Sequence, residues 1–155
     1  MVAKKHRYLL VELLFERASE RGVTLSEEEL MQAVQQSLAR NWGDVGDSVA
    51  QLRLLSWSPV ARLGVLRCAR PAADRLAAAA SLVSIVRKRS AQLRIHRISG
   101  TRRTLQAASS ELLRAWKQRA LAHATSPGEV EVVGRAFAAE AALLEGSGRG
   151  STVLL

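Results

Sequence analysis

The sequence predicts a mixed α/β fold of the α+β class, with elements in the order βαββαβ and two further helices after them. Three observations carry this prediction. Strand-like apolar runs are separated by single helical periodicities, a Ser58-Pro59 break divides two neighbouring strand runs, and two capping boxes mark helix starts.

The first strand is Arg7 to Phe15, RYLLVELLF, apolar enough for a central position although Leu is an indifferent strand former. Glu16 to Gly22 is a polar connection ending in a turn. Ser26 and Glu29 then form a capping box. Leu30, Val34 and Leu38 follow at i, i+4 and i+8, so the first helix has one core-facing stripe. Asn41, Gly43, Asp44 and Gly46 end it in a loop. Val49 to Trp57 and Arg62 to Ala69 are two strands joined as a hairpin across Ser58-Pro59. Arg70-Pro71 stops the second of them, and Pro71 suits the first turn of an alanine-rich helix running to about Val86. Leu76, Ala80 and Val83 lie along one side of that helix. Arg87-Lys88-Arg89 closes it, where cations favourably meet the dipole, or is only a solvated face.

Gln92 to Ser99 is the fourth strand, with Leu93, Ile95 and Arg97 on one face and Arg94, His96 and Ile98 on the other. The Ser99-Gly100 break delivers Thr101 to Thr104 into the first turn of a third helix, Thr101 to Ala122, with a stripe of Leu105, Leu112 and Trp116. Ser126 and Glu129, around Pro127, start a fourth with Val130, Val133 and Phe137. The last two helices either cover the open sheet face or add a flank. This order is the split-βαβ pattern: a ferredoxin-like, RRM-like βαββαβ sandwich with two additional C-terminal helices. Residues 1–145 read as one domain and 146–155 as a disordered tail. Strands one and four are expected in non-adjacent positions of the sheet, so topology alone does not merge their basic patches.

Charge is spread unevenly. Residues 1–52 carry 6 basic and 8 acidic side chains, residues 53–119 carry 15 and 2, and residues 120–155 carry 2 and 4. The middle of the chain therefore supplies the whole net charge of +9. Of the 23 basic residues 19 are Arg, whose planar fork suits phosphate better than a lysine point charge. Such a segment indicates nucleic acid, an acidic protein partner or an anionic membrane surface. The membrane reading is the weakest, for want of a lipidation signal or an apolar run near 18 residues. Signal-peptide architecture is also missing, since Met1 to Phe15 is interrupted by Glu12. The single cysteine, Cys68, excludes an internal disulfide, fits a reducing compartment and reads as a buried hydrophobe.

Catalytic constellations do not emerge. His6, His96 and His123 have no Cys, Asp or Glu at metal-ligand spacing, and His96, between arginines, takes a structural or RNA-contacting role. Asp44, Asp47 and Asp74, the only aspartates, are too scattered for a two-metal nuclease site. Residues 43–46, Gly-Asp-Val-Gly, lack the lysine and spacing of a phosphate-binding P-loop. The third strand of an RRM carries aromatics that stack bases, but Arg62 to Cys68 has none. Trp42, Trp57 and Trp116 read as core or interface anchors. RNA contact would then be electrostatic. The segment 97–103 combines a glycine break, a helix N-terminus, and Arg97, Arg102 and Arg103, a pattern suited to phosphate. Lys4, Lys5, His6 and Arg7 form a second basic patch, whose plain alternative is a solubilising N-terminus.

Three stretches occur in a recognisable order: Lys5-His6-Arg7-Tyr8-Leu9-Leu10-Val11-Glu12, Leu63-Gly64-Val65-Leu66-Arg67-Cys68, and Ile98-Ser99-Gly100-Thr101-Arg102-Arg103-Thr104-Leu105-Gln106. Together, across about Lys4 to Leu121, the chain resembles the processing-of-precursors subunit-five family, a small protein subunit of ribonuclease P and RNase MRP. The resemblance implies an RRM-like sandwich with added helices, in a ribonucleoprotein that removes the 5′ leader of precursor tRNA or, as MRP, processes rRNA. It implies that the RNA holds the catalytic Mg2+, so this chain binds no cofactor and is no enzyme on its own. Implied partners are the ribonuclease P or MRP RNA, precursor tRNA, the TIM-barrel-like ribonuclease P subunit and other subunits. The implied location is nucleus and nucleolus, or cytoplasm for an archaeal source.

Lys5, Arg7 and Tyr8 match the family's N-terminal motif, and Gly100, Thr101 and Arg103 its glycine–threonine–x–basic motif. With Arg97 and Arg102 they make up the candidate RNA-binding set. The chain departs from the family at Arg102, where an apolar residue is usual, and at Leu105, where Cys is frequent. Two alternatives come from other classes: a ferredoxin-like protein–protein adaptor with a basic face, and a small metal-dependent nuclease.

Overall fold

A computed structural model describes residues 5–17, 24–43 and 51–146. Lys4, the turn at Gly22, the loop residues Asp44 and Gly46, the strand start at Val49 and the tail after Gly146 lie outside the described residues. The elements are β1 (His6–Phe15), α1 (Glu27–Trp42), β2 (Arg53–Ser58), β3 (Leu63–Ala69), a 3-10 turn (Arg70–Ala72), α2 (Ala73–Ser81), β4 (Ile85–Val86), β5 (Arg89–Ser99), α3 (Arg102–Ala122) and α4 (Pro127–Gly146). The fold is the expected ferredoxin-like α+β sandwich, with one strand more than the sequence predicted.

The sheet has the order β2-β3-β1-β5-β4, and every pairing is antiparallel. β1 sits at the centre, and Leu9, Leu10 and Val11 are fully buried. A strand covered on both faces gains about 2 kcal/mol for each large apolar side chain it buries, which overrides the weak strand propensity of Leu. Odd residues of β1 face α1 and α2: Leu9, Val11 and Leu13 join Leu66, Cys68 and Leu93 from the sheet with Leu30, Val34, Leu38 and Leu76 from the helices. Even residues face α3: Leu10 packs with Val65 and Leu105, flanked by Tyr8, Leu55 and Leu112. Further along, Leu63 and Ala61 meet Leu113, with Trp116 and Phe137 beside them. So α3 and α4 cover the second face rather than adding a flank.

Trp57 is buried, and its Nε1 donates to Leu25 O at 2.6 Å. Directly across from it stands Gly64, where a β-carbon would lie 2.7 Å from the indole ring. The glycine is required by the tryptophan. Cys68 is buried, and burial pushes its thiol up to about 11 against a smaller opposing effect of Arg7.

Three expectations are corrected. The helix predicted from Pro71 to Val86 stops at Ser81, and Arg87-Lys88 form the turn of a β4–β5 hairpin instead of a helix end. Both turn residues are left-handed (φ 56° and 60°), as a two-residue primed turn demands. Arg87 offsets that cost by pairing its Nε with Glu29 at 2.7 Å and donating to Thr24 O at 3.0 Å. Second, β1 and β5 are direct neighbours, with Tyr8 opposite Ser99 and Phe15 opposite Ala91. In a split-βαβ topology each crossover leaves a one-strand gap, and the last strand closes beside the first. Third, a bulge interrupts β5. Val11 pairs with Ile95 but Leu10 with Arg97, so Arg97 leaves the face of Leu93 and Ile95 and joins that of Leu10.

Candidate nucleic-acid interface

One end of the sheet collects the start of β1, the end of β3, the start of β2, the end of β5 and the N-terminus of α3. The candidate residues come together there. Antiparallel pairing sets the first pair, because β1 enters where β5 leaves, and Lys5 O accepts from Arg70 N at 3.0 Å. Arg7 lies against Gly100: a β-carbon there would be 3.3 Å from Arg7 Nη1. Gly100 makes room for a guanidinium rather than supplying a left-handed turn. Arg7 Nη1 also donates to His6 O at 3.0 Å.

Thr101 is extended (φ −138°, ψ 149°) and caps α3, its Oγ1 accepting from Thr104 N at 3.4 Å. Its own N–H donates to Ser99 Oγ at 3.2 Å. The amides of Arg102 and Arg103 are thereby left as the open donors of a 21-residue helix whose first turn holds no acidic residue. Leu105, 1% exposed, anchors this turn to Leu10 and Val65. The departure from the family at that position fills the core. Arg102 is half-buried; Lys5, Arg97, Thr101 and Arg103 are exposed.

Not every candidate shares one face. Arg7 pairs across the sheet with Cys68 and so belongs to the α1/α2 side. Tyr8 and Arg97 belong to the α3 side, Tyr8 half-buried in the cluster around Leu10. Two arginines that sequence reading did not single out share that side. In register across the strands run Arg53, Arg67, Tyr8 and Ser99. Their signal in the sequence was a position near one end of a strand, legible only once the register is known. Among the described residues, Lys5, Arg7, Arg53, Arg67, Arg97, Arg102 and Arg103 make no ion pair.

The opposite end of the sandwich differs. A mainly apolar groove of about 1310 Å³ opens between the end of β1, the 60–62 turn, the end of α3 and the start of α4. Glu12, 5% exposed, lines it, and its carboxylate meets His96 Nε2 at 2.8 Å and Arg119 Nη2 at 3.8 Å. Sequence reading found no acid beside His96 because its partner is 84 residues away. His96 is the extra residue of the β5 bulge, and Glu12 fixes it. Among the described residues, no cluster of three or more His, Cys, Asp or Glu is placed to hold a metal ion. No helix there is long and apolar enough to cross a membrane.

The sequence matches the model of the Rpp14/Pop5 family over residues 7–110, two thirds of the chain, which takes in all three motif stretches except Lys5 and His6. No individually curated protein matches it. Among solved structures, it is similar to a chain in the cryo-EM structure of yeast ribonuclease MRP, with a TM-score of 0.55 and 11% identity. That similarity covers 76% of this chain and 98% of the yeast one, and at this identity it speaks for the fold alone. The fold, the three ordered motifs and the family match agree, and the chain belongs to the Rpp14/Pop5 family, the small ribonuclease P/MRP subunits that its motifs resemble.

Proposed function

We propose that this chain is a non-catalytic, RNA-binding subunit of ribonuclease P or RNase MRP. It neutralises backbone phosphates of the catalytic RNA and so supports 5′-leader removal from precursor tRNA or, in MRP, rRNA processing. The observation that carries this reading is the cationic end of the sheet, where seven basic side chains from five elements and the segment before β1 converge without a carboxylate partner among the described residues. Uncompensated arginines beside an open helix N-terminus favour phosphate. Covering of the second sheet face by α3 and α4 favours backbone contact over base stacking.

On the same reading the catalytic Mg2+ resides on the RNA, the complex contains the TIM-barrel-like subunit and further subunits, and the location is nuclear and nucleolar, or cytoplasmic in an archaeon. The test is a salt titration of binding to a ribonuclease P RNA transcript. Several phosphate contacts make affinity fall steeply with salt, and a flat response would sink the proposal. Arg102→Glu with Arg103→Glu should keep the melting temperature and lower affinity at 150 mM salt about 100-fold. Unchanged affinity would remove the α3 terminus from the interface.

A further inference from the structure

We propose that Arg53 and Arg67 form a two-arginine clamp for one RNA backbone phosphate, at a position separate from the N-terminus of α3. The inference rests on the RNA-binding reading and extends it to two residues outside the candidate set.

Arg53 and Arg67 stand directly opposite each other on β2 and β3. Their β-carbons are therefore about 5 Å apart on one face, where like charges repel. A neighbouring carboxylate would ordinarily relieve such a pair. None does so here, since neither arginine makes an ion pair among the described residues. Arg67 is half-buried, and its Nε is wholly shielded from solvent without a hydrogen-bond acceptor. A shielded charged donor with no acceptor is costly to keep. One anion between the two forks would answer both costs at once: it screens the repulsion and accepts from guanidinium N–H groups.

The clamp lies two strands from β5, roughly 10 Å at ordinary strand spacing, so it takes a different phosphate from the one at the helix. Arg53, Arg67, Tyr8 and Ser99 form one row that leads from the clamp to the residues just before α3. The row starts at two arginines and ends beside the cations of α3, and positive charge at both ends of one surface path fits a polymer with one negative charge per unit. The phosphates of a folded RNA strand meet that description, and an acidic protein is the competing occupant.

The experiment compares the wild type, Arg53→Gln/Arg67→Gln and Arg53→Lys/Arg67→Lys on a fluorescein-labelled ribonuclease P RNA transcript, with poly-glutamate as the second probe. Thermal melts run alongside. The glutamine variant should melt at the wild-type temperature or about 1–3 °C higher, since a repulsive pair is removed. Its log affinity against log salt should lose about one contact's slope, 0.7–0.9, and its affinity should fall roughly tenfold at 150 mM salt. The lysine variant should keep the slope and lose several-fold in affinity, because charge remains while the fork is gone. An unchanged slope in a folded glutamine variant, with the Arg102/Arg103 reversal still impairing binding, overturns the clamp alone. Lost poly-glutamate binding with intact RNA binding assigns the pair to an acidic protein and overturns it too. A wild type with no salt-dependent RNA binding overturns clamp and subunit reading together.

Discussion

The two ends of this sandwich carry similar residues and treat them in opposite ways. At the groove end, three cations have partners within the chain: Arg119 reaches Glu12 at 3.8 Å, Arg135 reaches Glu131 at 3.8 Å, and Arg62 lies 5.1 Å from the Phe15 ring centre. Beyond the edge of the sheet, Arg87 is held by Glu29 and Thr24. At the other end seven basic residues have no such partner among the described residues. Charge density alone does not mark a site, because both ends are rich in arginine. Unpaired charge gathered at one end, beside an open helix N-terminus, marks it. The Arg87-Lys88-Arg89 run, the most basic tripeptide in the chain, proves to be a turn fastened by its own ion pair.

That contrast can be broken most forcefully through Leu105. It ties the first turns of α3 to Leu10 and Val65, so Leu105→Ala should lower stability by about 3 kcal/mol. In a thermal melt this is a fall of roughly 10 °C. RNA affinity should fall with it, because the open amides of Arg102 and Arg103 are placed by that contact. Weakened stability with full affinity would show that the cationic end does not need a docked helix. Next comes Glu12→Gln, which keeps shape and removes charge at the groove end. Leaving His96 and Arg119 without their carboxylate should cost about 1–2 kcal/mol in denaturant unfolding. RNA affinity should stay within twofold, and a larger loss would mean that the two ends are not independent.

The smallest effect is expected at Glu129. Its carboxyl lies below the usual carboxylate range because Thr125 donates both its backbone N–H and its hydroxyl to it. A group with a depressed folded pKa adds stability above its ordinary pKa and loses it as pH falls through the folded value. The melting difference between wild type and Glu129→Gln should therefore be present at neutral pH and shrink as the pH falls through the carboxylate range. A difference that persisted in acid would assign the contribution of Glu129 to something other than its charge.

Much of the fold was legible because it rests on local pattern. The Ser26–Glu29 box, the Leu30-Val34-Leu38 stripe and the Ser58-Pro59 break are short-range signals, and each marks the element it predicted. The end of α2 was not legible. Leu76, Ala80 and Val83 keep helical spacing past the true end at Ser81, and Val83 is buried without being helical. Nor did Arg87-Lys88 resemble an Asn-Gly turn. Within the candidate site, Gly100 and Thr101 were readable as a break and a helix start. Three other features depend on register: the contact of Arg7 with Gly100, the facing of Arg97, and the presence of Arg53 and Arg67. Register follows from closure of the sheet, which no local window contains.

The bulge in β5 has one more consequence. A strand is written in steps of two, and up to Ile95 this one is written in a frame that faces α1 and α2. From Arg97 onward the frame has changed, and His96 is the inserted letter between them. Ile95 and Arg97 would occupy opposite faces in a regular ladder if they were consecutive residues. Excising His96 would therefore leave both flanking registers and the outlook of Arg97 in place. Only the nearer of the two partners of Glu12 would be lost. A single deletion in mid-strand, usually among the most disruptive changes a sheet can suffer, would here restore a regular ladder and leave the cationic end as it stands.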